Sequence, residues 1–372
     1  MGFIKGLALC EGFFFEIAKP VLDEHFTGMK YSAGLVGYGS DVLGYDDEVS
    51  TDHMWGPRFY LFLEDKDIAK KQEILEAFSK RLPYDYRGYS VHFSRPDPND
   101  NGVRHPEQIT EGDVSPLIFV HTFKEYLTSY LGMDDLDNLT GLDWLSFSEH
   151  RLLALSSGRL FFDGLCIQKV IEKIRFYPDD VRLYLIASNW SLAAEEQAFV
   201  KRCFAVGDDL GSMLACGRIA DRLMRLTFLY CKAYAPYSKW FGTAFSKLPV
   251  DESLKRAIYN AVKAIDINER ENSIALAQKL TADLHNQSGF TKFVDVKIES
   301  YFGRDIKVIF ADKIVSAVMV KLSGTDFERY PLIGSLSGVP NFTNIFDDPL
   351  YRDRVKGLYG GFRCRSECKK SG

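Results

Sequence analysis

Gly37-Tyr38-Gly39-Ser40-Asp41-Val42-Leu43-Gly44-Tyr45-Asp46-Asp47-Glu48-Val49-Ser50-Thr51-Asp52-His53-Met54-Trp55-Gly56-Pro57-Arg58 is the stretch on which the fold turns. It belongs to a region rich in Gly and Asp, residues 31–57, that also holds Gly34. Directly after it, Phe59-Tyr60-Leu61-Phe62-Leu63 is a short continuous apolar run, the mark of a buried strand. Upstream, residues 7–18 read as an amphipathic helix, and Pro20 closes that stretch or starts the next turn. Downstream, residues 67–81 read as a helix with Lys and Glu on its outer face, and Gly88–Phe93 as a second strand. Pro96-Asp97-Pro98-Asn99-Asp100-Asn101-Gly102 is a strong loop signal. Strand, helix and strand in this order predict an α/β domain over residues 1–146.

The pattern then changes twice. Residues 147–290 carry few strand signals and many 3.6-period stretches, among them 163–175, 181–190, 194–204, 210–234 and 254–264. They predict a helical second domain. After Gly289, Val294, Val296 and Ile298 alternate, Ile306–Phe310 follows Gly303, and 312–322 reads as a helix. Residues 291–372 are therefore expected to form a small α/β annex with a turn-rich tail. The fold class predicted is α+β: a mixed-sheet domain, a helical domain and the annex.

Composition sets bounds on function. A net charge of −5 argues against a protein that coats nucleic acid. The seven cysteines are odd in number and show no CxxC spacing, so they read as reduced, mostly buried thiols of a cytoplasmic protein. Glu11 and Glu16 interrupt the apolar start, so a signal peptide is not expected. Nothing reaches about 18 uninterrupted apolar residues, so no membrane span is expected either.

The quoted stretch also carries a resemblance. Gly39-Ser40, followed by Asp52 ahead of the apolar run, is similar to the signature of the polymerase β-like nucleotidyltransferases. Five blocks make the resemblance closer. They are Ser50-Thr51-Asp52-His53 with Trp55-Gly56-Pro57-Arg58; Phe176-Tyr177-Pro178-Asp179-Asp180-Val181; Val206-Gly207-Asp208-Asp209-Leu210-Gly211-Ser212; Tyr234-Ala235-Pro236-Tyr237-Ser238-Lys239-Trp240-Phe241-Gly242-Thr243-Ala244-Phe245; and, more faintly, Pro331-Leu332-Ile333-Gly334-Ser335. Together they resemble DUF4037, an uncharacterised nucleotidyltransferase-like family.

The resemblance implies a chemistry. Gly39-Ser40 would open a helix whose N–H groups and hydroxyl meet triphosphate oxygens. Two carboxylates on one face of a strand, with a third acid on a neighbouring strand, would hold two Mg²⁺ ions that stabilise an in-line displacement. Asp52 matches the first carboxylate. Met54 stands at the second, where a thioether suits Mg²⁺ poorly. The best match to the third position is Val91-His92-Phe93, with His92 in place of the acid. The expected metal ligands are thus Asp52 and His92, with Asp46, Asp47 and Glu48 close enough in sequence to assist. Lys239 is implied as a phosphate contact. The architecture resembles that of the aminoglycoside nucleotidyltransferases, with an acceptor between two domains.

One more pattern comes from the residues alone. Arg218, Arg222 and Arg225 recur at i, i+4 and i+7 on a stretch that is otherwise largely apolar. A buried arginine stripe needs anionic partners, and Asp208, Asp209 and Asp221 are at hand. Arg222 and Asp209 are expected to share one buried polar network, and Arg222 is a further nucleotide-binding candidate. Glu195, Glu196 and Asp209 are candidate general bases beside Asp52. The function expected is transfer of a nucleoside monophosphate from an NTP, ATP first, to a hydroxyl-type acceptor with Mg²⁺. The alternative is a nucleotide-binding or scaffolding protein that kept the fold and lost the chemistry.

Overall fold

Residues 2–49, 51, 54–338 and 350–360 are described by a computed structural model. The chain divides by packing into two units, Met1–Asn138 with Arg151–Arg175, and Leu139–His150 with Phe176–Gly372. The boundary expected at 146/147 does not coincide with this division, because residues 151–175 return to the first unit.

The first half of the chain builds its sheet around one strand. Helix α1 (Gly6–Phe13) continues through a π-helical turn (Phe14–Ala18) into α2 (Lys19–His25). Pro20 lies in the first turn of α2, directly after the π-helical turn, and has no N–H to donate to the preceding turn. Then come β1 (Tyr31–Leu35), β2 (Arg58–Leu63), α3 (Lys71–Arg81), the two-residue strands β3 (Asp85–Tyr86) and β4 (Tyr89–Ser90), β5 (Leu117–Thr122) and α4 (Phe123–Leu131). Helices α5 (Gly141–Ser146) and α6 (Glu149–Ser157) lead to β6 (Arg159–Asp163) and α7 (Gln168–Ile171). The sheet order is β5-β2-β1-β6. β1 runs antiparallel to β2 and β6, and β2 parallel to β5.

β2 is buried at every residue, which is why it reads as an unbroken apolar run. Phe59, Leu61 and Leu63 face a core that includes Phe13 and Phe14 with Ile74 and Phe78 of α3. On the opposite face Tyr60 stacks with Phe62 and Phe119, and Phe62 meets Phe123 and Tyr126 edge-on. β1 escaped the sequence reading because it is Tyr-Ser-Ala-Gly-Leu. At Gly34 a Cβ would overlap the Arg159 carbonyl oxygen and lie 2.8 Å from Leu160 Cα, so the approach of β6 requires glycine there.

The second unit is helical. It contains α8 (Asp179–Glu196), α9 (Phe199–Ala205), α10 (Asp209–Tyr230), α11 (Ser238–Ser246), α12 (Glu252–Lys263), α13 (Ile267–Ser288), the short strands β7 (Glu299–Ser300) and β8 (Lys307–Val308), α14 (Asp312–Leu322) and α15 (Leu350–Lys356). Aspartates cap three of these helices: Asp208 accepts from Gly211 N–H, Asp251 from Ser253 N–H, and Asp266 from Asn268 and Glu269 N–H. The expected annex strand at Val294–Ile298 is irregular chain, and pairing is confined to β7 and β8. No helix among the described residues is long and apolar enough to cross a membrane. Of the described cysteines, Cys10 and Cys216 are buried and Cys166 is exposed, so burial is less general than the sequence suggested.

α13 carries a buried relay with a pH consequence. Trp190 Nε1 donates to Tyr230 Oη at 2.8 Å, and Tyr230 Oη lies 3.1 Å from His285 Nδ1. Thr291 Oγ1 donates to the Lys292 carbonyl, so its lone pair is what meets His285 Nε2 at 2.9 Å. His285 is therefore neutral, with its proton on Nε2. Burial pushes its pKa from 6.5 down to about 4. Because the folded pKa lies below the unfolded one, the unfolded state binds more protons between those values, and stability falls as pH drops through that window. About 3 kcal/mol is expected to be lost at this residue by pH 4. Denaturant melts from pH 7 to pH 4 check this: His285→Gln should flatten the acid limb, and an unchanged limb would exclude His285 as its source.

Candidate functional site

β1 ends in the loop that the sequence singled out. Gly37 and Gly39 have φ of 91° and 122°, and a Cβ at Gly39 would overlap the Asp41 carboxylate and sit 2.7 Å from Arg58 Nη2. Arg58, first residue of β2, donates from Nη1 to Asp41 Oδ2 at 2.6 Å and from Nη2 to Asp41 Oδ1 at 3.1 Å and the Tyr38 carbonyl at 3.2 Å. Both side chains are 1% exposed. Burial opposes the charge on Arg58, but the Asp41 carboxylate, Tyr38 and Cys10 together outweigh it and raise the guanidinium pKa. This pair fixes the loop to the strand.

Several expectations change here. Ser40 does not open a helix: residues 40–44 form a turn, closed by Tyr45 N–H donating to the Ser40 carbonyl at 2.8 Å. Asp52 lies outside the described residues. Met54 is not on a strand face, since it adopts φ 49° in a bend ahead of β2. A left-handed residue breaks the period-2 alternation on which a strand carboxylate pair depends. Asp46 is engaged elsewhere. Its carboxylate, 1% exposed, accepts from Gly6 N–H at 2.7 Å and Trp55 Nε1 at 3.4 Å, and so holds the N-terminus of α1. Asp47 and Glu48 are exposed.

His92 is also placed differently. Gly88–Phe93 does not join the main sheet; its strand is the short β4, paired with β3. His92 Nδ1 accepts from Ser115 N–H at 3.1 Å, and Nε2 lies 3.9 Å from the largely exposed Glu107. Among the described residues no three His, Cys, Asp or Glu side chains gather as a metal-binding group.

In the helical unit the arginine stripe finds acids: Asp221 as expected, but not Asp209, with Glu196 and Glu149 in addition. Arg218 Nε meets both carboxylate oxygens of Glu196, at 2.6 and 2.7 Å. Arg225 Nε donates to Asp221 at 3.0 Å and its Nη1 lies 3.9 Å from Glu149. Arg222 lies 3.8 Å from Asp221, and burial lowers its pKa. Asp209 accepts instead from Arg270 Nη1 at 2.6 Å. Arg222 and Asp209 stand thirteen residues apart on α10, which separates them by about 20 Å along the axis, so they share no network. Lys239 is exposed in the first turn of α11, 5.1 Å from the centre of the Trp240 ring.

The same unit holds a cavity of about 210 Å³ lined by Glu149, His150, Asp221, Arg225, Tyr237 and Phe241 among others. Glu149 is buried, accepts from Ala235 N–H at 2.9 Å, and has its pKa raised by burial against the lowering effect of Arg225. The sequence offered no sign of Glu149 or His150: neither lies in a spacing motif, and only the fold brings them to the cavity that Arg225 lines.

Fold and sites together define an α+β protein with a mixed sheet, a glycine loop pinned by a buried ion pair, and a helical unit with a polar cavity. Residues 144–241 match the model of a family described as a domain of unknown function, DUF4037, so the resemblance read from the sequence holds over that segment. It contains all but one of the residues that line the cavity, Ser337 being the exception. No curated protein matches the chain. Among solved structures, a nucleotidyltransferase-like protein from Exiguobacterium sibiricum 255-15 is similar at 10% identity, over 79% of this chain and 97% of its own, with a TM-score of 0.31.

Proposed function

We propose that this chain is a nucleotidyltransferase-type protein that binds an NTP, ATP first, and passes its nucleoside monophosphate to a hydroxyl-type acceptor. In that reaction the acceptor oxygen bonds to the α-phosphorus, the bond to pyrophosphate breaks, and the acceptor proton passes to a base. The observation that supports it most is the Gly37–Ser40 loop. Left-handed glycines at the end of a buried strand, held by the Asp41–Arg58 pair, are suited to present backbone N–H groups to phosphate oxygens. Lys239 and Arg222 are the proposed phosphate contacts of the helical unit, and Asp52 keeps the proposed catalytic role. Glu196 and Asp209 would have to leave Arg218 and Arg270 before acting as bases. Mg²⁺ would supply charge neutralisation at the phosphates. A cytoplasmic setting accords with the free cysteines.

One observation favours the second reading, a nucleotide-binding or scaffolding protein without turnover. Met54 departs from the carboxylate pattern both in its side chain and in its backbone. The two readings share nucleotide binding and part on chemistry. Calorimetry with each common NTP, with and without Mg²⁺, tests the shared part; no heat with any of them would remove both readings. Pyrophosphate release then separates them. Lys239→Ala is expected to weaken binding by about 1–3 kcal/mol, the scale of a charged hydrogen bond, and to leave Tm nearly unchanged because the side chain is exposed. A large drop in Tm with unaltered binding would assign Lys239 to the fold instead.

A further inference from the structure

The cavity of the helical unit has more donors than its own residues occupy. Arg225 uses Nε on Asp221, its Nη1 is 3.9 Å from Glu149, beyond hydrogen bonding, and Nη2 has no partner among the described residues. The Phe241 ring, 5.1 Å from the guanidinium carbon, supports the group from one side. α11 begins at the same cavity: Tyr237, Ser238 and Phe241 line it. Tyr237, its N-cap residue, makes no side-chain cap, and Trp240 N–H donates to the Tyr237 carbonyl at 3.0 Å, which leaves the Ser238 and Lys239 N–H groups to open this nine-residue helix. A second, independent feature is Ser148. It lines the cavity, is 4% exposed, and its hydroxyl has no partner among the described residues. Buried polar groups are rarely left so.

We propose that this cavity is an oxyanion-binding site. It takes the carboxylate or phosphate group of a small molecule on the Nη donors of Arg225, the Ser238 and Lys239 N–H groups that open α11 and the Ser148 hydroxyl. The apolar part of the molecule lies against Phe241, Tyr237 and Pro236. Charge permits this. Asp221 is already matched by Arg225 and Arg222, and the positive end of α11 adds to their field. Glu149 is the one acid that opposes an anion, and its burial favours the neutral form, which would itself donate to an oxyanion. The inference concerns the helical unit alone and does not rest on the nucleotide reading.

Titration of the full chain with inorganic phosphate and with malonate, at constant ionic strength set by chloride, tests it. Saturable one-site binding of either is expected, and the tighter of the two identifies the group that the natural ligand carries. Arg225→Met should weaken it by about tenfold or more. Ser148→Ala should weaken it several-fold while leaving Tm equal or higher, because the hydroxyl has no partner to lose in the unbound protein. Ser148→Ala keeps the test decisive if Arg225→Met fails to fold. No saturable binding above the chloride control, or binding by folded Ser148→Ala and Arg225→Met equal to wild type, would overturn the proposal.

Discussion

Arg58→Met is expected to destabilise the first unit by about 3–5 kcal/mol, the cost of leaving a buried carboxylate without its partner. Asp41 and Arg58 are each 1% exposed and joined by two hydrogen bonds, so Asp41 cannot turn to solvent when the guanidinium goes. The Tyr38 carbonyl would lose its donor as well. The double change Asp41→Leu with Arg58→Met should recover much of the loss, since an apolar pair of similar volume avoids the desolvation of both charges. Two units in one chain make a single melting curve ambiguous. Hydrogen exchange in β1 and β2, compared with exchange in α10, localises the effect. Faster exchange confined to the first unit is the expected result; equal exchange in wild type and Arg58→Met would mean that the loop is held by other contacts. The double variant also bears on function. If it folds but no longer binds nucleotide, the loop needs the ion pair for its shape.

The parts of the fold that were legible are those in which local pattern and tertiary position agree. Phe59–Leu63 announces β2 because both faces of that strand are covered. The helix at 312–322 appears at those residues, and 254–264 appears as α12 with a shift at its ends. What stayed hidden was non-local. β6, Arg159–Asp163, sits within text of helical period and becomes a strand by pairing with β1, more than a hundred residues earlier. The same pairing explains why residues 151–175 leave the helical text to join the first unit. β5, Leu117–Thr122, went unread and is likewise fixed by its parallel register with β2.

At the candidate site the local pattern misled: Gly39-Ser40 reads as the opening of a helix, but Gly37 and Gly39 take positive φ and residues 40–44 form a turn. Asp41 and Arg58 lock that loop in a way no spacing rule announces, since they stand seventeen residues apart. His92 was matched by its apolar neighbours, but a hairpin turn at Gly88, φ 84°, takes its segment out of the main sheet. The arginine stripe on α10 was read correctly as a set needing acids. The acids that answer it, Glu196, Asp221 and Glu149, come mostly from other helices.

That last point yields a contrast within one helical unit. Arg270→Met is expected to cost about 3 kcal/mol or more, and Arg222→Met about 1 kcal/mol or less. Arg270 is 1% exposed and holds together the ends of three helices. It donates to Asp209 at 2.6 Å and Ser212 at 2.8 Å in the first turn of α10, and to the carbonyls of Ala264 and Ile265 between α12 and α13. Asp209 is partly exposed and can be solvated when the arginine is lost. The buried Ser212 hydroxyl and the Ala264 carbonyl cannot, and each unsatisfied group costs about 1–3 kcal/mol. Arg222 differs in every term. Its closest acid, Asp221, stands 3.8 Å away and retains Arg225, so no carboxylate is stranded by its removal. Burial already lowers its pKa, which means that its charge is held at a cost in the folded state. Methionine of similar length removes that cost and keeps the packing. Urea unfolding of the two variants, with exchange in α10 as the local readout, ranks them. The expected order is Arg270→Met well below wild type and Arg222→Met close to it. The reverse order would restore Arg222 as the centre of the polar network and remove Arg270 from it.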